Sequence, residues 1–441
     1  LAVSYSVNTA CTKGPFVKPI LGRLQGAALL KRLGPGLITG AADDDPSGIA
    51  TYSQAGAQFG VNTLWTIVLT FPLMVTIQMI SARIGRVTGH GLATNMGRVF
   101  PGWVVTILVG LLFVANTINI GADLAAMGAA GKLVLGGDEH LYTLGITAVT
   151  LGLQVMAPYH LYVRFLKWLT LVLFAYVAVV FTVHIHWGSV LLATVWPHIV
   201  WNGAMITLVV AIFGTTISPY LLFWQASEEV EDEEADPEAK PLLEEPRQAR
   251  KELSRIRWDT YVGMAFSNLI AFFIILTTAV TLHAAGKTDI QTSAQAAAAL
   301  EPIAGHFAFL LFSLGIIGTG LLAVPVLAGS AAYAIGEARG WKVGLENKPQ
   351  EAIGFYVVIG LATILGLGVG FSPLDPIKAL FWSAVINGVI AVPIMAAMMI
   401  IVSRKKEMGV FIATLTQRIF GWAATAVMGA AAVAMFVFQG N

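Results

Sequence analysis

One cysteine, Cys11, stands in 441 residues, which excludes an internal disulfide and a thiolate metal cluster. Charge is scarce too: 12% of the residues are Asp, Glu, Lys or Arg, against roughly 25% in a soluble domain. No Gly-x-x-x-x-Gly-Lys-Ser/Thr phosphate loop occurs, so an ATPase would have to be a separate chain, and none is expected to be required. Neither a hydrolase nucleophile constellation nor a zinc-protease motif is present, which argues against an enzyme. The alternating pattern of a membrane β-barrel is missing. The first 22 residues mix polar and charged side chains and do not read as a cleavable signal peptide.

What fills the chain instead is apolar sequence in long runs; 56% of residues are hydrophobic. Eleven runs read as membrane spans: 33–58, 62–82, 102–127, 140–158, 165–184, 203–224, 259–282, 303–330, 352–370, 378–403 and 419–437. Each is about long enough to cross ~30 Å of hydrocarbon at ~1.5 Å per residue. With the N-terminus in the cytoplasm, all but three of the 26 Lys and Arg residues fall on the inner side; Lys132, Lys287 and Lys378 are the exceptions. This distribution follows membrane sidedness and leaves no separate footprint for nucleic acid. The expected organisation is an all-α membrane protein: a cytoplasmic tail over 1–30, then one transport domain over 31–440 in the lipid bilayer. Residues 225–257 form its one long charged insertion. That insertion begins acidic (Glu228, Glu229, Glu231, Asp232, Glu233, Glu234) and ends basic (Arg247, Arg250, Lys251, Arg255, Arg257). It reads as a solvated cytoplasmic loop whose basic half is held near anionic headgroups.

Asp43-Asp44-Asp45-Pro46-Ser47-Gly48 interrupts the first span. Carboxylates at membrane depth are costly and mark ion pathways. Proline cannot continue a helix from within, and Gly48 loosens the backbone further. A break frees carbonyls, which are tolerated at that depth only in a protein-lined or wet site. Carbonyls and carboxylates together make an oxygen-rich site suited to a divalent cation. A proline kink with capping aspartates is the simpler alternative, yet capping needs one Asp rather than three. Gly214-Thr215-Thr216-Ile217-Ser218-Pro219-Tyr220 interrupts the sixth span in the same way. The two breaks open two sets of five spans, 33–184 and 203–403, that start on opposite sides, with 419–437 as an extra helix. Inverted repeats with paired broken helices point to a secondary transporter.

At these residues the chain resembles the Nramp family of divalent metal transporters. That family reads Asp-Pro-Gly-Asn in its first break, here Asp45-Pro46-Ser47-Gly48. A phrase like Gln-Ala-Gly-Ala-Gln-Phe-Gly follows, here Gln54 to Gly60. The resemblance implies a LeuT-like fold with 11 transmembrane helices, an inverted 5+5 repeat with helices 1 and 6 broken, and alternating access. It puts the family's metal-binding Asp on Asp45 and its Asn on Gly48. The family's sixth-helix Met falls on Ser218, and a His that handles protons falls on Tyr220. A thioether favours softer transition metals, so its loss removes a preference for Mn²⁺ and Fe²⁺. The pattern is similar to the bacterial Nramp-related magnesium transporter branch. That likeness implies the inner (plasma) membrane and a partly hydrated Mg²⁺, with Mn²⁺ also carried, as substrate rather than resident cofactor. The family's proton route uses an Asp and a Glu three apart in the third helix; here they are Asp123 and Ala126, so proton coupling is expected to be weak or absent.

The expected cation-contacting residues are Asp45 first, then Asp44, Gly48, Thr215 and Ser218. Asp43, Gln54, Asp123, Tyr220, Asn268 and Asn387 are placed around them as supporting or gating residues, although an in-span Asn or Gln is also a common interhelical hydrogen bond. Proton-coupled transport of Mn²⁺ or Fe²⁺ is the nearest alternative. An amino-acid symporter on the same scaffold fits less well, since the acidic break repels a substrate carboxylate. A channel or a non-transporting cation sensor stands as a different class.

Overall fold

The computed structural model describes residues 39–40, 42–156, 169–197 and 202–439. Residues 34–441 cluster into one unit, whereas 1–33, and with it the expected tail over 1–30, lies outside the described residues. The described residues contain no strand. The helices of eight or more residues are α1 (Pro46–Phe59), α2 (Leu64–Thr88), α3 (Leu92–Val99), α4 (Gly102–Leu135), α5 (Glu139–Met156), α6 (Trp187–Val195), α7 (Gly203–Thr216), α8 (Pro219–Ala235), α9 (Ala249–Thr278), α10 (Ala308–Arg339), α11 (Ile353–Gly370), α12 (Pro376–Val402) and α13 (Leu415–Gln439).

Proline and glycine set many of these limits. Pro46, Pro219 and Pro376 occupy the first helical position of α1, α8 and α12, where a missing N–H costs nothing. Gly89 and Gly340 end α2 and α10 in the left-handed conformation. Among the described residues, eight stretches are long and apolar enough to cross a membrane. One of them, Pro46–Thr88, joins most of the first two expected spans through a short 3-10 turn at Gly60–Thr63. The expected span 140–158 coincides with α5; that over 165–184 lies partly outside the described residues and elsewhere forms short helical pieces such as Phe174–Val179.

The stretch containing α7 and α8 is the most deeply buried, while α11 and α13 turn most of their surface outward. α1 packs along α9, as α8 packs along α2, and α4 crosses α10 between them. This is the pairing expected when two helix sets are related by inversion. Small residues allow the closest approaches. A Cβ on Gly56 of α1 would come within 2.2 Å of Ile275 O on α9, and one on Gly214 of α7 within 2.0 Å of Ala384 O on α12.

The expected solvated loop over 225–257 is not what forms. α8 continues to Ala235, α9 begins at Ala249, and Glu229 is fully buried. The acids find partners on neighbouring helices. Arg86 of α2 donates to Glu233 at 2.6 Å and to Gln248 at 3.1 Å. Arg255 of α9 pairs with Glu229 and donates to Glu252 at 3.0 Å. Glu231 accepts from Tyr333 and from Leu345 N. A charge run that reads as hydrophilic is here the polar core of one end of the bundle.

Candidate metal centre

Both proline-marked interruptions are breaks in the structure. Helical residues 39–40 and 42–43 precede Asp45, whose backbone is extended (φ −69°, ψ 171°), and α1 starts at Pro46. α7 ends at Thr216; Ile217 and Ser218 leave the helical region (ψ 61° and 132°), and α8 starts at Pro219. The two breaks meet: a Cβ on Gly48 would lie 3.1 Å from Thr215 Oγ1 and 3.3 Å from the Tyr52 ring. Tyr220 Oη ties the second break to the turn before the first by donating to Ala42 O at 3.1 Å.

Asp45 is 1% exposed and serves as the N-cap of α1. Its Oδ1 accepts from Gly48 N at 2.8 Å and from Ser47 Oγ at 2.6 Å. Its Oδ2 accepts from Asn119 Nδ2 at 3.1 Å. Asn119 Nδ2 also reaches Asp123 Oδ2 at 3.2 Å, and Asn387 Nδ2 of α12 donates to Asn119 Oδ1 at 3.3 Å. A buried polar line therefore joins α1, α4 and α12.

Asp43 and Asp44 turn elsewhere. Ser267 Oγ of α9 lies within hydrogen-bonding reach of Asp43 Oδ2 and, at 3.1 Å, of Asp44 Oδ1. Among the described residues, no three Asp, Glu, His or Cys side chains converge into a metal cage. Successive backbone positions aim their side chains apart, and α9 takes up two of the three carboxylates. The remaining donors are of mixed type. The Tyr52 and Thr215 hydroxyls face each other, while Asp43 Oδ1, Asp44 Oδ2, Asp123 Oδ1 and Asn387 Oδ1 are buried without a hydrogen-bond partner. Buried polar atoms in that state need an explanation, and an ion with its water is one. This donor set is all oxygen, which suits a hard dication.

The other expected residues divide between the site and its surroundings. Ser218 Oγ donates to Gly214 O and Thr215 O, both at 2.9 Å, so its proton closes the end of α7. Gly48 contributes its amide and the space of a missing side chain. Gln54 fastens the segment beyond α9 to α1: its Oε1 accepts from Ile290 N at 3.0 Å, and its Nε2 donates toward Thr288 O at 3.4 Å. Gln54 also lines a cavity of about 410 Å³ between α1, α7 and α12, whose wall includes Ala50, one turn beyond Pro46. Asn268 does not join the site; it donates to Ile67 O at 3.0 Å and joins α9 to α2. Sequence reasoning missed Ser267 and Tyr52 and gave Asn119 no site role. Asn119 carried a signal, since it lies four residues before Asp123 on one helix face. Tyr52 had the same relation to Gly48. Ser267 carried none, because only tertiary packing brings it to the aspartates.

A family model described as "Natural resistance-associated macrophage protein-like" (Nramp) matches residues 36–438. A divalent metal cation transporter MntH of Klebsiella pneumoniae subsp. pneumoniae is 28% identical over 415 residues, covering 90% of this chain and 92% of that protein. The solved structure of an Eremococcus coleocola manganese transporter, in complex with an aromatic bis-isothiourea substituted compound, has a TM-score of 0.72 at 15% identity, covering 95% of this chain and 88% of that one. MhsT in complex with L-phenylalanine has a TM-score of 0.56 at 12% identity, covering 91% of this chain and 98% of that one. These likenesses show the fold, which is LeuT-like.

Proposed function

We propose that this chain, which belongs to the Nramp family, carries divalent metal cations across the bacterial inner membrane by alternating access, with the ion held between its two helix breaks. The Klebsiella relative's name as a divalent metal cation transporter supports this reading. The observation that carries it is the meeting of Gly48 with Thr215 beside the buried Asp45 carboxylate. Such a site binds and releases an ion and performs no bond chemistry, so the chain acts as a carrier rather than an enzyme. It needs neither an ATPase partner nor a resident cofactor.

Within that class the substrate is Mg²⁺, with Mn²⁺ also carried. Ser218 stands where the family has a thioether, and Gly48 where it has a carboxamide. One carboxylate with hydroxyls and space suits Mg²⁺, which dehydrates reluctantly and keeps several waters. Asp45 is the proposed charged contact, with its neighbour Asp44 behind it against Ser267, and Thr215 and Ser218 supply hydroxyl oxygens from the other side. Uptake into proteoliposomes tests the reading. Mg²⁺ and Mn²⁺ should enter saturably and compete, and Asp45→Ala should abolish both. Ohmic, non-saturating flux, or full uptake by that variant, would overturn the carrier model.

A second reading, proton-coupled transport of Mn²⁺ or Fe²⁺, is favoured by the hydrogen-bonded line Asp45–Asn119–Asp123. Against it, the next positions along α4, Ala126 and Met127, are buried and cannot titrate. A proton relay needs a continuing chain of acceptors. Metal influx without matching acidification of the vesicle lumen is the expected result, and proton influx comparable to metal flux would favour the second reading.

A further inference from the structure

Arginines on α2 and α9 sort into two kinds. Arg86 and Arg255 point to the acids of α8 and are ion-paired with them. Arg83 and Arg257, on the same two helices, line a cavity of about 350 Å³ that opens beside the start of α13. A neighbouring cavity of about 490 Å³ shares Leu253 and Arg257 and adds Arg250. Among the described residues, no carboxylate lies within ion-pairing distance of Arg83, Arg250 or Arg257. Arg83 is only partly exposed and shares one cavity with Arg257, so two guanidinium groups face the same space without a carboxylate between them.

The pocket is built rather than incidental. Arg83 Nη1 is held by Phe411 O at 3.3 Å and Ile412 O at 3.4 Å, which leaves Nη2 and Nε to act as donors. Thr414 and Gln417 cap the start of α13 reciprocally, at 3.3 Å and 3.2 Å. The positive end of that helix borders the same space. Its depth is set by the surroundings. Trp258, Tyr261 and Trp422 stand exposed on α9 and α13, with exposed Val262 and Ile419 beside them. Trp and Tyr in such a position mark the headgroup level, and the aliphatic surface beyond them faces acyl chains.

We infer that this pocket binds the phosphate of an anionic phospholipid, with the guanidinium groups of Arg83 and Arg257 on the headgroup and the outer faces of α9 and α13 against the chains. A planar guanidinium matches phosphate oxygens in pairs. The inference is independent of which ion the protein carries.

Native mass spectrometry of the full chain in neutral detergent tests it, with phosphatidylglycerol or phosphatidylcholine added. Wild type should retain phosphatidylglycerol in preference, and R83Q/R257Q should retain it roughly tenfold to thirtyfold less. R257Q alone removes only an exposed side chain and should show a smaller loss in the same direction, so a folding failure of the double variant leaves the test intact. R98Q, which removes an exposed charge elsewhere, should retain lipid as wild type does. Equal retention by wild type and R257Q would overturn the inference, as would an equal loss in R98Q. Displacement of the lipid by millimolar inorganic phosphate would also overturn it, by showing a site for the free anion.

Discussion

Asp45 has two tasks that substitution can separate. As N-cap it accepts from Gly48 N, and as a charge it is the carboxylate at the first break, next to Gly48 that meets Thr215. Asparagine caps helices about as well as aspartate, so Asp45→Asn should keep the melting temperature within about 2 °C of wild type while metal uptake falls about tenfold or more. A charge-assisted contact contributes ~1.5–3 kcal/mol, which sets that scale. Asp45→Ala should lose uptake and also about 1 kcal/mol of stability. A thermal-shift assay beside the flux measurement separates the two effects. Ser218→Met places a thioether next to Thr215 and should raise Mn²⁺ or Cd²⁺ uptake relative to Mg²⁺ by several-fold; an unchanged ratio in competition assays would remove position 218 from selectivity. At this scale the sequence disclosed what backbone chemistry announces: Pro46 and Pro219 as break points, with Asp45, Gly48 and Thr215 beside them; that Asp45 also caps α1 was the alternative the sequence reading set aside. It could not disclose that Ser267 takes Asp43 and Asp44, since 220 or more residues separate them and no local pattern links their positions.

Helix ends carry the next set of expectations. At one end of the bundle Thr39 donates to Gln225 at 2.6 Å, Gln225 to Glu229 at 3.1 Å, and Glu229 pairs with Arg255. The turn before the first break is thereby tied through α8 to α9. Arg255→Ala leaves Glu229 buried without its cation and should cost about 3–5 kcal/mol. Adding Glu229→Gln should recover part of that loss in a thermal-shift double-mutant cycle. On α7, Gly214→Ala sets a methyl group against Ala384 O and should cost about 1–3 kcal/mol through overpacking. These elements also explain the misread stretch over 225–257. Its composition is that of a solvated loop, and its largely helical, partly buried state depends on Arg86 and Tyr333 arriving from two other helices and on Arg255, near its own end, pairing back to Glu229. Composition reports the polarity of a segment; whether that polarity meets water or partners is decided by packing.

For the molecule as a whole, the long apolar runs and the paired interruptions were enough to indicate a helical membrane transporter with inverted repeats, because backbone groups in lipid leave few other solutions; the LeuT-like fold itself came from the resemblance to the Nramp family. Helix boundaries were less legible where a span breaks into short pieces, as around Phe174–Val179. The cavity between α1, α7 and α12 reaches toward the breaks from the side where α1 ends. On that side Gln54 joins α1 to the segment around Thr288 and Ile290 through both halves of its amide. That surface segment must therefore travel whenever α1 tilts. An antibody fragment raised against residues 286–291 should act as a brake, slowing turnover while leaving equilibrium ion affinity nearly intact, and Gln54→Ala should uncouple the handle from the machine and make the antibody harmless.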